Sequence, residues 1–248
     1  MENIINKVEV RRLTKQFGSL EVLKDCSFSI KDKEFVCVVG PTGCGKTTFL
    51  NLLTCLTEPT SGEILVNGKP ANPKEQNLSF VFQEKSAFPW LTVEDNIRFG
   101  MKIKKVPSEK IKEQTEKILH LMGLEKSRGM YPHELSVSGE QRIVIGRAFA
   151  MQPDLLLMDE PYAQMDIKMR YYLEDEVVRL WKELGSTVIF ITHNVEEAVY
   201  LADRVLILSP KPATIKAEVS IDLNRPRNIA SKEFIDYRES ITDLIKWW

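Results

Sequence analysis

Apolar residues along this chain follow two rhythms. "VEVRRL" (8–13), "CSFSI" (26–30) and "EILVNG" (63–68) are short, turn-bounded and partly alternating, which predicts strands of an antiparallel entry sheet. "EFVCVVG" (34–40) is an unbroken apolar run ending in glycine ahead of a helix former, the pattern of a strand buried on both faces of a parallel sheet. "LSFVFQ" (78–83), "DLLLMDE" (154–160), "TVIFITH" (187–193) and "DRVLILS" (203–209) repeat that character. Helical patterns separate several of them, so βαβ units are expected.

From Glu84 to about Gln152 the buried-strand pattern is absent, and "SEKIKEQTEKILHLMGL" and "GEQRIVIGRAFAMQ" repeat at the helical period. The expected organisation is an α/β core of residues 1–83 and 153–248 interrupted by a helical insertion over 84–152. The last 27 residues, from "DLNRPRN" to "ITDLIKWW", read as an extended, Pro-punctuated link followed by one amphipathic helix.

With 43% apolar residues in 248, a sizeable core is available. The 34 Lys and Arg nearly balance 35 Asp and Glu, a net charge of -1, so no broad cationic face is available for a nucleic-acid backbone and no nucleic-acid partner is expected. No run of eighteen apolar residues occurs, and "MENIINKVEV" lacks the basic-then-apolar pattern of a secretory signal, which predicts a chain that stays in the cytosol. Cys26, Cys37, Cys44 and Cys55 have neither CxxC nor His/Cys spacing, which suits free thiols.

"GPTGCGKTT", residues 40 to 48, fits G-x-x-x-x-G-K-[ST] between a buried strand and the helical "TTFLNLLTCL". In such a loop the backbone N–H groups of Gly40, Pro41, Thr42, Gly43, Cys44, Gly45, Lys46, Thr47 and Thr48, proline excepted, can wrap the phosphates of a nucleotide. Lys46 neutralises the outer phosphates and the Thr47 hydroxyl can ligate Mg²⁺. Downstream, "LLLMDE" delivers Asp159 to a Mg²⁺ shell and Glu160 to a place where it can polarise an attacking water. His193 ends another buried strand, in reach of a γ-phosphate or that water. Gln83, also at a strand end, is a candidate sensor of Mg²⁺ or the water. Phe17 in "KQFGSL" is either an adenine-stacking ring or a core residue.

The P-loop, Gln83, "LSVSGEQR", "LLLMDEP", "YAQMD" and His193 occur in the order and approximate spacing of the nucleotide-binding subunit of an ABC transporter, which the chain resembles over nearly its whole length. The resemblance implies one ABC ATPase domain over residues 1–248, with a RecA-like core, a helical subdomain and ATP sandwiched between two head-to-tail ATPase subunits. It also implies docking on an integral membrane permease at the cytoplasmic face, with an extracytoplasmic binding protein supplying cargo. Phe17 then holds the adenine-stacking position, Gln83 the loop that feels the permease, Glu160 that of the general base and His193 that of the switch histidine. "FQEKSAFPWLTVEDNIRFG", "DEPYAQMD" and "LNRPRN" resemble the importers of nitrate, sulfonates and taurine.

Two segments depart from the family pattern. Where L-S-G-G is usual, this chain has Leu135, Ser136, Val137 and Ser138, and the loop after Asp159 and Glu160 reads Ala163, Gln164, Met165, Asp166. In the family, Ser136, Ser138 and Gly139 would lie against the nucleotide of the other subunit, with Asp166 nearby. Valine resists the close approach and positive φ that glycine permits, so a weakened anion site is expected. The pair Ser138 and Gln141 has capping-box spacing and predicts a helix that begins near Ser138; Ser136 as the cap is the alternative. The leading reading is therefore an ATP hydrolase driving import. The alternatives are a weakly hydrolysing regulatory subunit of a heterodimer and a soluble, non-transport ABC ATPase.

Overall fold

The computed structural model describes residues 6–246 except Lys85, Gln164 and Asp166. Strands β1 (Asn6–Phe17), β2 (Leu20–Lys31) and β3 (Phe35–Val39) precede helix α1 (Lys46–Leu53). Then come β4 (Ser61–Val66), β5 (Lys69–Pro70), β6 (Leu78–Val81), α2 (Val93–Ile103), α3 (Ser108–Leu121), α4 (Val137–Ala150) and β7 (Leu155–Asp159). The chain finishes with α5 (Ile167–Leu184), β8 (Thr187–Ile191), α6 (Val195–Leu201), β9 (Arg204–Leu208), β10 (Ile215–Ser220) and α7 (Lys232–Ile245). These elements form two compact units, Met1–Gln76 with Thr187–Trp248, and Asn77–Ser186.

In the first unit, β1 pairs antiparallel with β2 and β4, giving the order β2-β1-β4-β5. Val8, Val10 and Leu13 are buried on one face of β1. Both long strands run to 12 residues, well past the alternating stretches seen in the sequence. Register shifts between Val10 and Leu13, with Arg12 at φ 44 and Asp25 at φ 46, interrupt the alternation without ending the pairing. The second sheet of this unit places β3 between β8 and β9, parallel to both, with β10 antiparallel on β9. All residues of β3 and β8 are buried, as their unbroken apolar runs predict. Each large aliphatic or aromatic side chain so buried stabilises the fold by about 1.5–3 kcal/mol. Strand β10 lies at the sheet edge, and its apolar Ile215, Ala217 and Val219 are half-buried while the polar residues between them are exposed.

The second unit contains the parallel pair β6 and β7, in the register Leu78↔Leu155, and helices α2 to α5. Helix α4 is buried along most of its length and packs against α2, α3 and α5. Gly146 allows that closeness: a Cβ there would lie 3.0 Å from Ile118 Cγ2. Thr92 caps α2 by accepting from Asp95 N at 3.2 Å. The fully buried Asn96 ties down the preceding loop, accepting from Phe88 N (2.8 Å) and donating to the carbonyls of Phe88, Leu91 and Thr92.

Candidate active site

In the first unit β3 leads into the loop 40–45 and then α1. Gly45 is the N-cap of α1 at φ 124, and a Cβ there would meet Val22 Cγ1 at 2.9 Å, so both its conformation and its space require glycine. No side chain caps α1 and its first turn holds no acidic residue. Lys46 is buried, only 6% exposed, and its ammonium donates to Gly40 O (3.0 Å) and Pro41 O (3.2 Å). An ammonium has three donors, so one remains beyond those two carbonyls. An uncapped helix start, a buried cation and no nearby carboxylate in that turn together fit a phosphate group. Around them Thr42, Gly43 and Thr47 are exposed, Pro41 and Thr48 half-buried. Cys44 is buried, and burial pushes its thiol up against the opposing pull of Lys46.

His193 is exposed and lies between two pinned neighbours. Thr192 Oγ1 donates to Glu197 Oε2 at 2.5 Å and accepts from Asn194 N at 2.9 Å. Asn194 caps α6, its Oδ1 accepting from Glu196 N (2.9 Å) and Glu197 N (3.4 Å). Phe17, at the end of β1, is 49% exposed with Lys15 Nζ 4.6 Å from its ring centroid, so it is a presented ring and not a core residue.

In the second unit β7 buries all its residues and ends at Asp159, 5% exposed. The next residue, Glu160, stands at φ 43. A carboxylate residue held in the left-handed region costs about 1 kcal/mol or more, and such strain concentrates at functional positions. Gln83, exposed just beyond β6, helps line a cavity of about 20 Å³ with Val137, Glu140, Gln141, Ala163 and Met165. That volume holds roughly one water. Among the described residues no cluster of three or more His, Cys, Asp or Glu is built to hold a metal.

The start of α4 differs from the sequence expectation. Ser136, not Ser138, is the N-cap: at φ -67 and ψ 164 it accepts from Gly139 N at 3.2 Å, and the helix begins at Val137. Ser138 and Gln141 are each 8% exposed, so Gln141 packs inward instead of reaching back to form a capping box. Ser138 Oγ sits 3.0 Å from Ser136 Oγ. Val137, already helical, presents its side chain to solvent at 47% exposure, so no positive φ is demanded of it.

A family model described as ABC transporter matches residues 23–163. The chain belongs to the ABC transporter family. It is 39% identical over 244 residues to an uncharacterised ABC transporter ATP-binding protein of Methanocaldococcus jannaschii, covering 97% of this chain and 91% of the other. It is 38% identical over 238 residues to the aliphatic sulfonates import ATP-binding protein SsuB of Bacillus thuringiensis subsp. konkukian, covering 96% and 93%. Among solved structures, cbiO1 of Clostridium perfringens, part of the ABC transporter complex cbiONQ, superposes with a TM-score of 0.82 at 24% identity over 96% of this chain and 94% of that one. The dimeric ATP-binding cassette MJ0796 in a post-hydrolysis state with ADP and Pi gives 0.74 at 28% identity, over 88% and 100%. The cassette described here is an ATP-binding subunit of this family and an ATPase, with the α/β fold of those cassettes.

Asp166 of the cassette lies outside the described residues. Sequence reasoning missed several groups that shape the site's surroundings. Asn194, Thr192 and Glu197 hold the His193 loop, and their only sequence signal is an Asn followed by two Glu at a helix start. Arg147 stacks over Phe88 at 4.5 Å and donates to Ser86 O at 2.8 Å, bracing the loop of Trp90, which is 69% exposed. Burial pushes the Arg147 guanidinium down, and nothing in the helical pattern of "GEQRIVIGRAFAMQ" singles it out.

Proposed function

We propose that this cassette powers uptake of a small anion of the nitrate, sulfonate or taurine kind through a membrane permease. The observation that carries the reading is the end-to-end similarity to an aliphatic sulfonate import subunit, at 38% identity over 96% of this chain. When bound, ATP supplies the phosphoryl bond and Mg²⁺ neutralises charge on its oxygens. The N–H groups of Gly40 to Thr48 and the Lys46 ammonium bind the phosphates, and Phe17 stacks on the adenine. Thr47, Asp159 and Gln83 are the oxygen donors for Mg²⁺. Glu160 takes the proton from the attacking water while His193 orients it.

In the same reading Ser136, Ser138, Gly139 and Asp166 serve the nucleotide of a second ATPase subunit, like or unlike this one. The permease docks near Gln83, where Phe82 and Trp90 are exposed and the Trp90 loop is braced. The cassette attaches peripherally at the cytoplasmic face through that permease, and no helix among the described residues is long and apolar enough to cross a membrane itself. A second reading, a weakly hydrolysing regulatory subunit, draws support from Val137 and from the hydroxyl contact between Ser136 and Ser138.

The test is reconstitution with the permease and extracytoplasmic binding protein in vesicles. An alkanesulfonate, taurine or nitrate is expected to raise ATP turnover. Turnover indifferent to all three would remove the proposed cargo class. Sedimentation of the Glu160→Gln variant with ATP separates the two readings: a stable homodimer at micromolar concentration disfavours the regulatory subunit.

A further inference from the structure

We infer that Arg225 and Arg227, in the link after β10, are positioning residues that set the place of His193 by holding the far end of α6. This rests on the proposed role of His193 in orienting the water. Helix α6 has only seven residues, too few to be stable alone, and the last carbonyls of any helix lack intrahelical partners. Two guanidiniums supply them. Arg227, 6% exposed, donates through Nη1 to Val199 O (2.6 Å), Tyr200 O (3.1 Å) and Ala202 O (2.6 Å). Arg225 Nη2 donates to the one between, Leu201 O, at 2.6 Å. Four successive carbonyls are thereby occupied, and positive charge meets the negative end of the helix.

The clamp is anchored in turn. Arg227 also donates to Ile221 O (3.1 Å) and Leu223 O (3.3 Å). Arg225 Nη1 pairs with Asp203 Oδ1 at 2.7 Å, and Asp203 Oδ2 accepts from Phe35 N (3.0 Å) at the start of β3, the strand that leads to the phosphate loop. Burial, helped by the charge of Arg225, pushes the Arg227 guanidinium down to about 10, which leaves it protonated at neutral pH. At the other end of α6, about 10 Å away, Asn194 and the Thr192–Glu197 pair fix the residues on either side of His193. A two-turn rod held at both ends has one place for the loop it carries. Lysine cannot replace this fork, because its ammonium is a point charge that cannot reach several carbonyls in a plane.

The experiment uses the full chain with Arg227→Lys, and Arg225→Lys as the milder second variant should the first fold poorly. The chain has 3 histidines, so its imidazole resonances are separable by NMR. The His193 signal is expected to shift in the variants while those of His120 and His133, in the other unit, stay. Turnover should fall roughly tenfold with ATP affinity held within about twofold. On a His193→Ala background the Arg227→Lys change should cost less than about twofold, because its effect passes through the missing imidazole. An unmoved His193 signal, or the full tenfold loss on the His193→Ala background, overturns the inference. If His193→Ala alone leaves turnover at the parent rate, the proposed role of His193 falls and the resonance shift alone decides the clamp.

Discussion

Helices α1 and α4 begin in opposite ways. Helix α1 starts from Gly45 with no capping side chain and no acid in its first turn, and Lys46 is buried against the loop carbonyls. Helix α4 starts from Ser136, whose hydroxyl accepts from Gly139 N and touches Ser138 Oγ, with Glu140 in the first turn. A capping serine contributes about 1 kcal/mol to its helix. Helix α4 thus gains local stability by using its own oxygen, while α1 forgoes it and keeps its N–H groups available for an anion. The same element, a helix N-terminus, is left uncapped in one unit and is capped by its own serine in the other.

The largest expected effects test the α1 side. Lys46→Ala should weaken ATP binding at least ~100-fold, because it deletes the buried charge proposed to meet the phosphates. Glu160→Gln should preserve binding and cut turnover by roughly 10²–10⁴. Calorimetric titration and a phosphate-release assay read the two. Hydrolysis by Glu160→Gln at the parent rate would strip Glu160 of its assigned role.

Tenfold effects test the α4 side. The double change Val137→Gly and Ser138→Gly should raise turnover of the isolated cassette by about tenfold, the equivalent of recovering roughly 1.5 kcal/mol in one charge-assisted contact. Most of that gain is expected from Ser138→Gly alone, since Val137 points to solvent while the Ser138 hydroxyl engages Ser136. A double variant with unchanged rate and unchanged ATP dependence would show that this helix start is not limiting.

The smallest effect concerns how α4 is moored to α5. Arg142 of α4 lies over the Tyr172 ring at 4.5 Å and 3.6 Å from Glu176 Oε2. Burial pushes the Glu176 carboxyl up, outweighing the Tyr172 hydrogen bond and the charges of Arg142 and Arg179. A carboxyl raised in the folded state contributes stability that is full below its unfolded value, about 4.3, and is lost as pH rises through the folded value. Glu176→Gln should therefore flatten the dependence of the urea midpoint on pH above about 4.3, with little change in turnover. An identical slope in parent and variant would show that Glu176 stays ionised in the fold.

Much of this was legible along the chain. Buried parallel strands are continuous apolar runs, and β3, β7, β8 and β9 stand where those runs predict. The turn from β3 into α1 is equally legible, because Gly45 answers to local backbone geometry. The loop ahead of helix α2 was not, since Arg147, which braces it, reaches Ser86 from 61 residues away. The start of α4 was misread because Ser136 and Ser138 both have the composition of a cap.

Local chemistry is what the sequence alone determined: where a glycine must turn, where an apolar run must hide, and which lysine, aspartate and glutamate follow. Tertiary structure decided the rest. Burial of Ser138 and Gln141 chose Ser136 as the cap of α4. Likewise, "LNRPRN" reads as a plain link until β9 and α6 are packed, when Arg227 finds five carbonyls in reach. A guanidinium has no intrinsic preference among distant carbonyls. Only the fold brings those acceptors together and removes the water that would otherwise satisfy both sides.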